Sequence, residues 1–185
     1  YDEAVRNFYN ALYYGPTCVH CSMGECYEVY YDIADALERN AQAILKGTLK
    51  KENEVQMEGW IAQKRLELEK CHPEARKENR YVPPETVIEE LLQLLREYEK
   101  AVSYEACLAM AYAYYTKALQ RRPEKIKYHK AVERLKKLTE EKISDAEFER
   151  RENRFPVNTP KTKEEYYYRE IYSKLFPNDS AAKVV

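Results

Sequence analysis

The sequence predicts an all-α protein. Three observations carry that prediction: apolar residues recur at helical spacing, helix breakers are scarce, and start and stop signals flank the apolar runs. Only 4 Gly and 8 Pro occur in 185 residues, and the common types include the good helix formers Glu, Lys, Ala and Leu. A chain of this length buries a substantial core. The expected architecture is an irregular antiparallel helical bundle or a repeat-like helical array. Residues 1–142 form its helical body and residues 143–185 an extended C-terminal arm with short helices.

Each element follows from a local pattern. Over residues 1–14, Ala4, Val5, Phe8, Ala11 and Leu12 share one face, and Gly15-Pro16 stops the helix. A short cysteine-containing loop follows. Over residues 24–49, Val29, Ile33, Ala36, Leu37, Ala41, Ile44 and Leu45 keep the 3.6-residue spacing, and Gly47 marks the break. A third helix over 52–70 is expected to bury Val55, Trp60, Ile61, Leu66 and Leu68 in part. The proline-rich, charged stretch 72–84 reads as a loop. Pro84 then suits a first helical turn, because its missing N–H has no intrahelical partner to lose. Residues 84–122 form one long helix or, with a break near Val102-Ser103, an antiparallel pair. The stripe Leu91-x2-Leu94-Leu95 belongs to the core.

Pro123 restarts a helix that carries Ile126, Val132, Leu135 and Leu138. Ser144-x-x-Glu147 and Thr162-x-x-Glu165 both match the capping box, in which hydroxyl and carboxylate satisfy free N–H groups at a helix start. Between them, two prolines bias residues 154–160 towards an extended path.

Basic and acidic side chains nearly cancel, 31 against 32, so nucleic acid is not the expected primary partner. The basic clusters at 46–51 and 117–137 are interleaved with glutamates and read as solvated helix faces. No apolar run reaches the roughly 18–20 residues of a bilayer span, which leaves membrane association only through partners. The aromatic composition is unusual: 18 Tyr against 4 Phe and 1 Trp. Tyrosine buries its ring while its hydroxyl keeps a polar contact, which suits interfaces between proteins. In the arm, Phe155, Tyr166, Tyr167, Tyr168, Tyr172 and Phe176, with Ile171 and Leu175, form an apolar set too large for one short helix to shield. These residues are the expected interface with other protein subunits.

One spacing occurs twice. Ala4, Phe8, Ala11, Leu12 and Pro16 are matched by Ala111, Tyr115, Ala118, Leu119 and Pro123. This pattern over residues 1–16 and 111–123 resembles the second helix and closing proline of tetratricopeptide repeats. The resemblance implies protein binding through a concave helical surface, without catalysis.

The sequence offers little catalytic chemistry. Cys18, Cys21 and Cys26 with Cys71 or the adjacent His72 would make a soft tetrahedral set for zinc, and disulfides are a second option. Reduced, structural thiols are favoured over both, and no metal or cofactor is expected. Glu89-Glu90 and Glu140-Glu141 point to different sides of a helix and read as solubilising charge. No glycine-rich phosphate loop occurs.

The expectation from sequence is therefore a noncatalytic structural or interaction subunit of a large multiprotein assembly. A start at Tyr1 without a signal pattern means either that a leader was removed or that the numbering begins inside a longer chain. The expected setting is intracellular, and a processed organellar subunit, foremost a mitochondrial one, accounts for the missing Met. A free helical-repeat adaptor that binds a partner peptide or helix is the alternative, followed by a small zinc- or disulfide-stabilised protein.

Overall fold

Seven α-helices, and no strand, make up the regular structure among the described residues of a computed structural model, which are 2–15, 28–48, 54–71, 81–140 and 162–177. They are α1 (Asp2–Tyr14), α2 (Glu28–Leu45), α3 (Glu54–Leu66), α4 (Glu85–Lys100), α5 (Tyr104–Arg121), α6 (Ile126–Glu140) and α7 (Lys163–Leu175). A π-helical turn over Glu67–Cys71 extends α3. The all-α prediction holds.

The helix ends follow the sequence signals. Gly47, at φ +65°, takes the left-handed conformation that closes α2, and the Thr48 N–H donates to the Ala43 carbonyl at 2.9 Å. The long segment 84–122 breaks at Val102-Ser103. Ser103 caps α5 by accepting from the Ala106 N–H at 3.1 Å, and Pro84 stands immediately before α4. Thr162 caps α7 through the Glu165 N–H. The capping box at Ser144 and the extended path over 154–160 lie outside the described residues.

Helix α5 is the hub. Ala106, Cys107, Leu108, Ala109, Met110, Ala111, Tyr112, Tyr114, Tyr115 and Ala118 are all buried, so the helix is enclosed on most sides. Its alanines let neighbouring backbones approach while its tyrosines fill the remaining space. It packs against α2 most extensively, then against α7 and α6, while α1 lies on α4 and α2. Leu91, Leu94 and Leu95 of α4 are buried as the stripe predicts. On α3 the buried side chains are Met57 and Ile61, with Leu68 in the π turn. Leu66 is instead exposed, since it falls on the opposite face. At the α1–α3 seam the Tyr9 ring meets Trp60 edge-on at 5.4 Å, and the Arg6 guanidinium lies 5.5 Å from the Trp60 centroid.

The repeated spacing is packed differently in its two copies. Ala111, Tyr115 and Ala118 are fully buried, whereas Val5 and Tyr9 are the buried side chains of α1 and Ala11 is exposed.

The interface expected on a free arm requires correction. Tyr166, Tyr168, Tyr172 and Phe176 are buried in the chain's own core, Tyr167 is half-buried, and Phe155 lies outside the described residues. Helix α7 packs on α5 and α6, so the described part of the arm is joined to the body. The reason is that the tyrosine hydroxyls find acceptors there. Tyr168 donates to the Leu135 carbonyl at 3.0 Å and stacks on Tyr112 at 4.7 Å, and Tyr172 donates to Glu97 at 2.7 Å. The Lys100 ammonium donates to the Leu175 carbonyl and lies 4.5 Å from the Phe176 ring centroid, closing the end of α7.

Two outcomes follow for stability. Ala118→Leu, at a position with 0% exposure, is expected to overpack the hub and destabilise the fold by about 1–3 kcal/mol in a denaturant titration. Removal of residues 162–185 uncovers Tyr112 and deprives the core of several aromatic side chains, each worth roughly 1.5–3 kcal/mol when buried. The truncated chain should therefore lose helical circular dichroism at a lower temperature than the full chain; equal melting would show that α7 contributes nothing to the body.

Candidate functional site

An open groove of about 550 Å³ lies between α2 and α6, walled by Tyr31, Asp35, Glu38, Arg39, Gln42, Lys46, Thr48 and Arg134. Its floor is built from three helices. Glu38 of α2 is largely covered, with 13% of its side chain exposed. Arg134 of α6 forks onto it, Nε to Oε1 at 2.7 Å and Nη2 to Oε2 at 2.6 Å, and the Tyr115 hydroxyl of α5 donates to Oε2 at 2.9 Å. Both carboxylate oxygens are thereby engaged.

This arrangement sets the protonation states. Hydrogen bonding to Glu38 holds Arg134 above the ordinary guanidinium range, so it stays charged. Burial, followed by the negative charge of Glu38, pushes the Tyr115 hydroxyl well above the ordinary phenol value. Tyr115 is therefore a fixed hydrogen-bond donor at neutral pH. The groove wall also carries the Arg39–Asp35 pair at 2.8 Å, one turn apart on α2. Such a surface can bind a polar group through Lys46, Gln42 and Thr48, but its strongest acid and base already satisfy each other.

The sites proposed from sequence are distributed as follows. Cys18, Cys21, Cys26 and His72 lie outside the described residues, and Cys71 ends the π turn of α3. Among the described residues no three His, Cys, Asp or Glu side chains are placed to hold a metal ion. Cys107 is buried and unoxidised; it accepts from Asn40 Nδ2 at 3.3 Å, and burial pushes its thiol up to about 11. It is consequently a poor nucleophile at neutral pH. Of the basic cluster at 117–137, Lys117 pairs with Glu90 at 2.8 Å, Lys127 with Glu28 at 3.0 Å and Arg134 with Glu38. No helix among the described residues is long and apolar enough to cross a membrane.

Sequence reasoning missed the Glu38–Arg134–Tyr115 set because its members are scattered along the chain. Arg134 and Glu38 are 96 residues apart. The one local signal was the interleaving of opposite charges in the 117–137 cluster.

Comparison with known proteins adds an independent finding. No family model and no solved structure matches the chain. Segments of it are similar to glutamine-hydrolysing asparagine synthetases. Asparagine synthetase B of Escherichia coli (strain K12) is 46% identical over 54 residues, which are 29% of this chain and 10% of that protein. The Zea mays enzyme is 44% identical over 54 residues, 29% of this chain and 9% of its own length. The Homo sapiens enzyme is 42% identical over 43 residues, 23% of this chain and 8% of its own. The chain thus spans about a tenth of the length of the curated relatives it matches.

These matches overturn the expectation of a noncatalytic subunit of a large assembly, since the relatives are enzymes. The expectation had rested on the lack of a convincing active-site set, on abundant tyrosine and on a proline-broken polar tail. Abundant tyrosine is equally satisfied when the last helix packs on its own chain.

Arg134→Met is expected to release Glu38 from its fork and to cost about 1 kcal/mol, the upper range for a pair exposed on one side. The loss should shrink in high salt. A salt-independent loss in chemical denaturation would mean that Arg134 acts through packing alone.

Proposed function

We propose that the chain supplies a helical portion of an enzyme of the glutamine-hydrolysing asparagine synthetase kind and takes part in glutamine-dependent asparagine formation. The 46% identity over 54 residues with the Escherichia coli enzyme carries the proposal. Helical packing constrains which positions are apolar but not which residue fills them, so near-half identity over 54 residues exceeds what a shared helical pattern demands. The partner called for is protein, namely the parts of such an enzyme beyond the matched segment. The helices contribute rigid elements, whose side chains are locked by ion pairs and hydrogen bonds such as Glu38–Arg134 and Tyr168–Leu135.

A segment exchange tests the proposal. The matched 54 residues of the Escherichia coli relative are replaced by those of this chain, and asparagine formation from glutamine is measured. Retained activity is expected. A chimera that melts like the parent yet forms no asparagine would show that the likeness carries no function.

A further inference from the structure

A single carboxyl group lies at the junction of α4, α5 and α7. Glu97 of α4 is 3% exposed. Its Oε1 accepts from Gln93 Nε2 at 3.0 Å and from the Tyr172 hydroxyl of α7 at 2.7 Å, and the Gln93 amide also donates to the Tyr172 hydroxyl at 2.8 Å. Its Oε2 has no hydrogen-bond partner among the described residues. Thus α7 is held to α4 through a carboxyl group hydrogen-bonded to the neutral side chains of Gln93 and Tyr172.

Four groups face this carboxyl: Gln93 from α4 itself, Tyr114 and Lys117 from α5, and Tyr172 from α7. Lys117 is the one cation among them, and its ammonium is engaged by Glu90 at 2.8 Å, a carboxylate that also accepts from Tyr30 at 2.7 Å. The loss of hydration on burial raises the Glu97 carboxyl above its ordinary range, outweighing Tyr114, Tyr172 and Gln93, which favour the charged form. An ionised Glu97 regains water only if the junction opens. Helices α4 and α5 follow one another directly and are tied by Ser103 and by Asn40, which donates to the Ala101 carbonyl at 3.3 Å, whereas α7 meets this junction from a distant part of the chain.

We propose that Glu97 is a pH-sensitive latch for the C-terminal helix: protonated, it keeps α7 seated on α4 and α5, and ionised, it loosens that seat. The closed state binds one proton more than the open state between the ordinary carboxylate range and the raised value of the buried group. Raising pH through that window therefore favours opening. Below it, both states hold the proton and the seat is at its firmest with respect to this group. The Glu97 contribution is read as a difference between variants.

The test uses the full chain. Carboxyl carbon resonances of Glu97 are titrated by NMR, and amide hydrogen exchange across α7, corrected for the intrinsic pH dependence, is followed in wild type and Glu97→Gln. Glu97 is expected to titrate above the ordinary carboxylate range, with α7 protection falling roughly tenfold per pH unit through the window and α2 protection unaffected. In Glu97→Gln the excess pH dependence of α7 should vanish while protection at pH 8 is retained. An ordinary Glu97 midpoint, a wild-type α7 profile without the fall, or identical profiles in the two proteins would each overturn the latch. If Glu97→Gln does not fold, the wild-type titration and exchange profile decide alone.

Discussion

The enclosure of α5 is the constraint on which the rest of the structure depends. A helix buried on most sides must have neighbours for nearly every side chain, and this one meets the demand with alternating small and large residues. Ala109, Ala111 and Ala118 bring α2, α6 and α7 close, while Tyr112, Tyr114 and Tyr115 fill the wider gaps. Tyrosine adds a second demand that phenylalanine would not. Each buried ring carries a hydroxyl that needs a polar contact, so the surrounding helices must supply one. Glu38 does so for Tyr115, Glu97 for Tyr172, and the Leu135 carbonyl for Tyr168. The polar features of the fold are therefore consequences of its aromatic core. The demand is not met everywhere, for the Tyr9 and Tyr128 hydroxyls have no partner among the described residues.

Much of the fold was legible because the signals that start, stop and orient helices are local. Gly47, Ser103 and Thr162 act within five residues of themselves, and the Leu91–Leu95 stripe is one helix turn long. The assignment of α7 was not legible for the complementary reason. An apolar aromatic helix reads identically whether its cover is another chain or its own. The acceptors that decide the matter lie 33 and 75 residues away in the sequence. Leu66 shows the same limit on a smaller scale, since its apolar side chain was expected to be partly buried while the packed face runs through Met57, Ile61 and Leu68.

The groove between α2 and α6 was illegible for a third reason. Composition showed that charges balance, not which pairs meet, and Glu38 with Arg134 is a pairing that only the folded chain creates. Function stood furthest from the sequence pattern. Periodicity records burial, and burial is common to enzymes, adaptors and subunits alike. The similarity to asparagine synthetases lies in residue identity, which amphipathic patterning does not encode.

The lone tryptophan gives the molecule an uneven optical character. Trp60 sits at the α1–α3 seam with Tyr9 against its edge and the Arg6 cation over its face. Tyrosine emission overlaps tryptophan absorption, so light absorbed by nearby phenol rings drains towards Trp60. The red end of the protein's fluorescence thus reports the surroundings of this seam. Helix α7, which carries Tyr166, Tyr167, Tyr168 and Tyr172 but no indole, is visible only in the ultraviolet emission of phenols. Indole emission therefore follows the α1–α3 seam, while phenol emission sums over the 18 tyrosines of the whole chain.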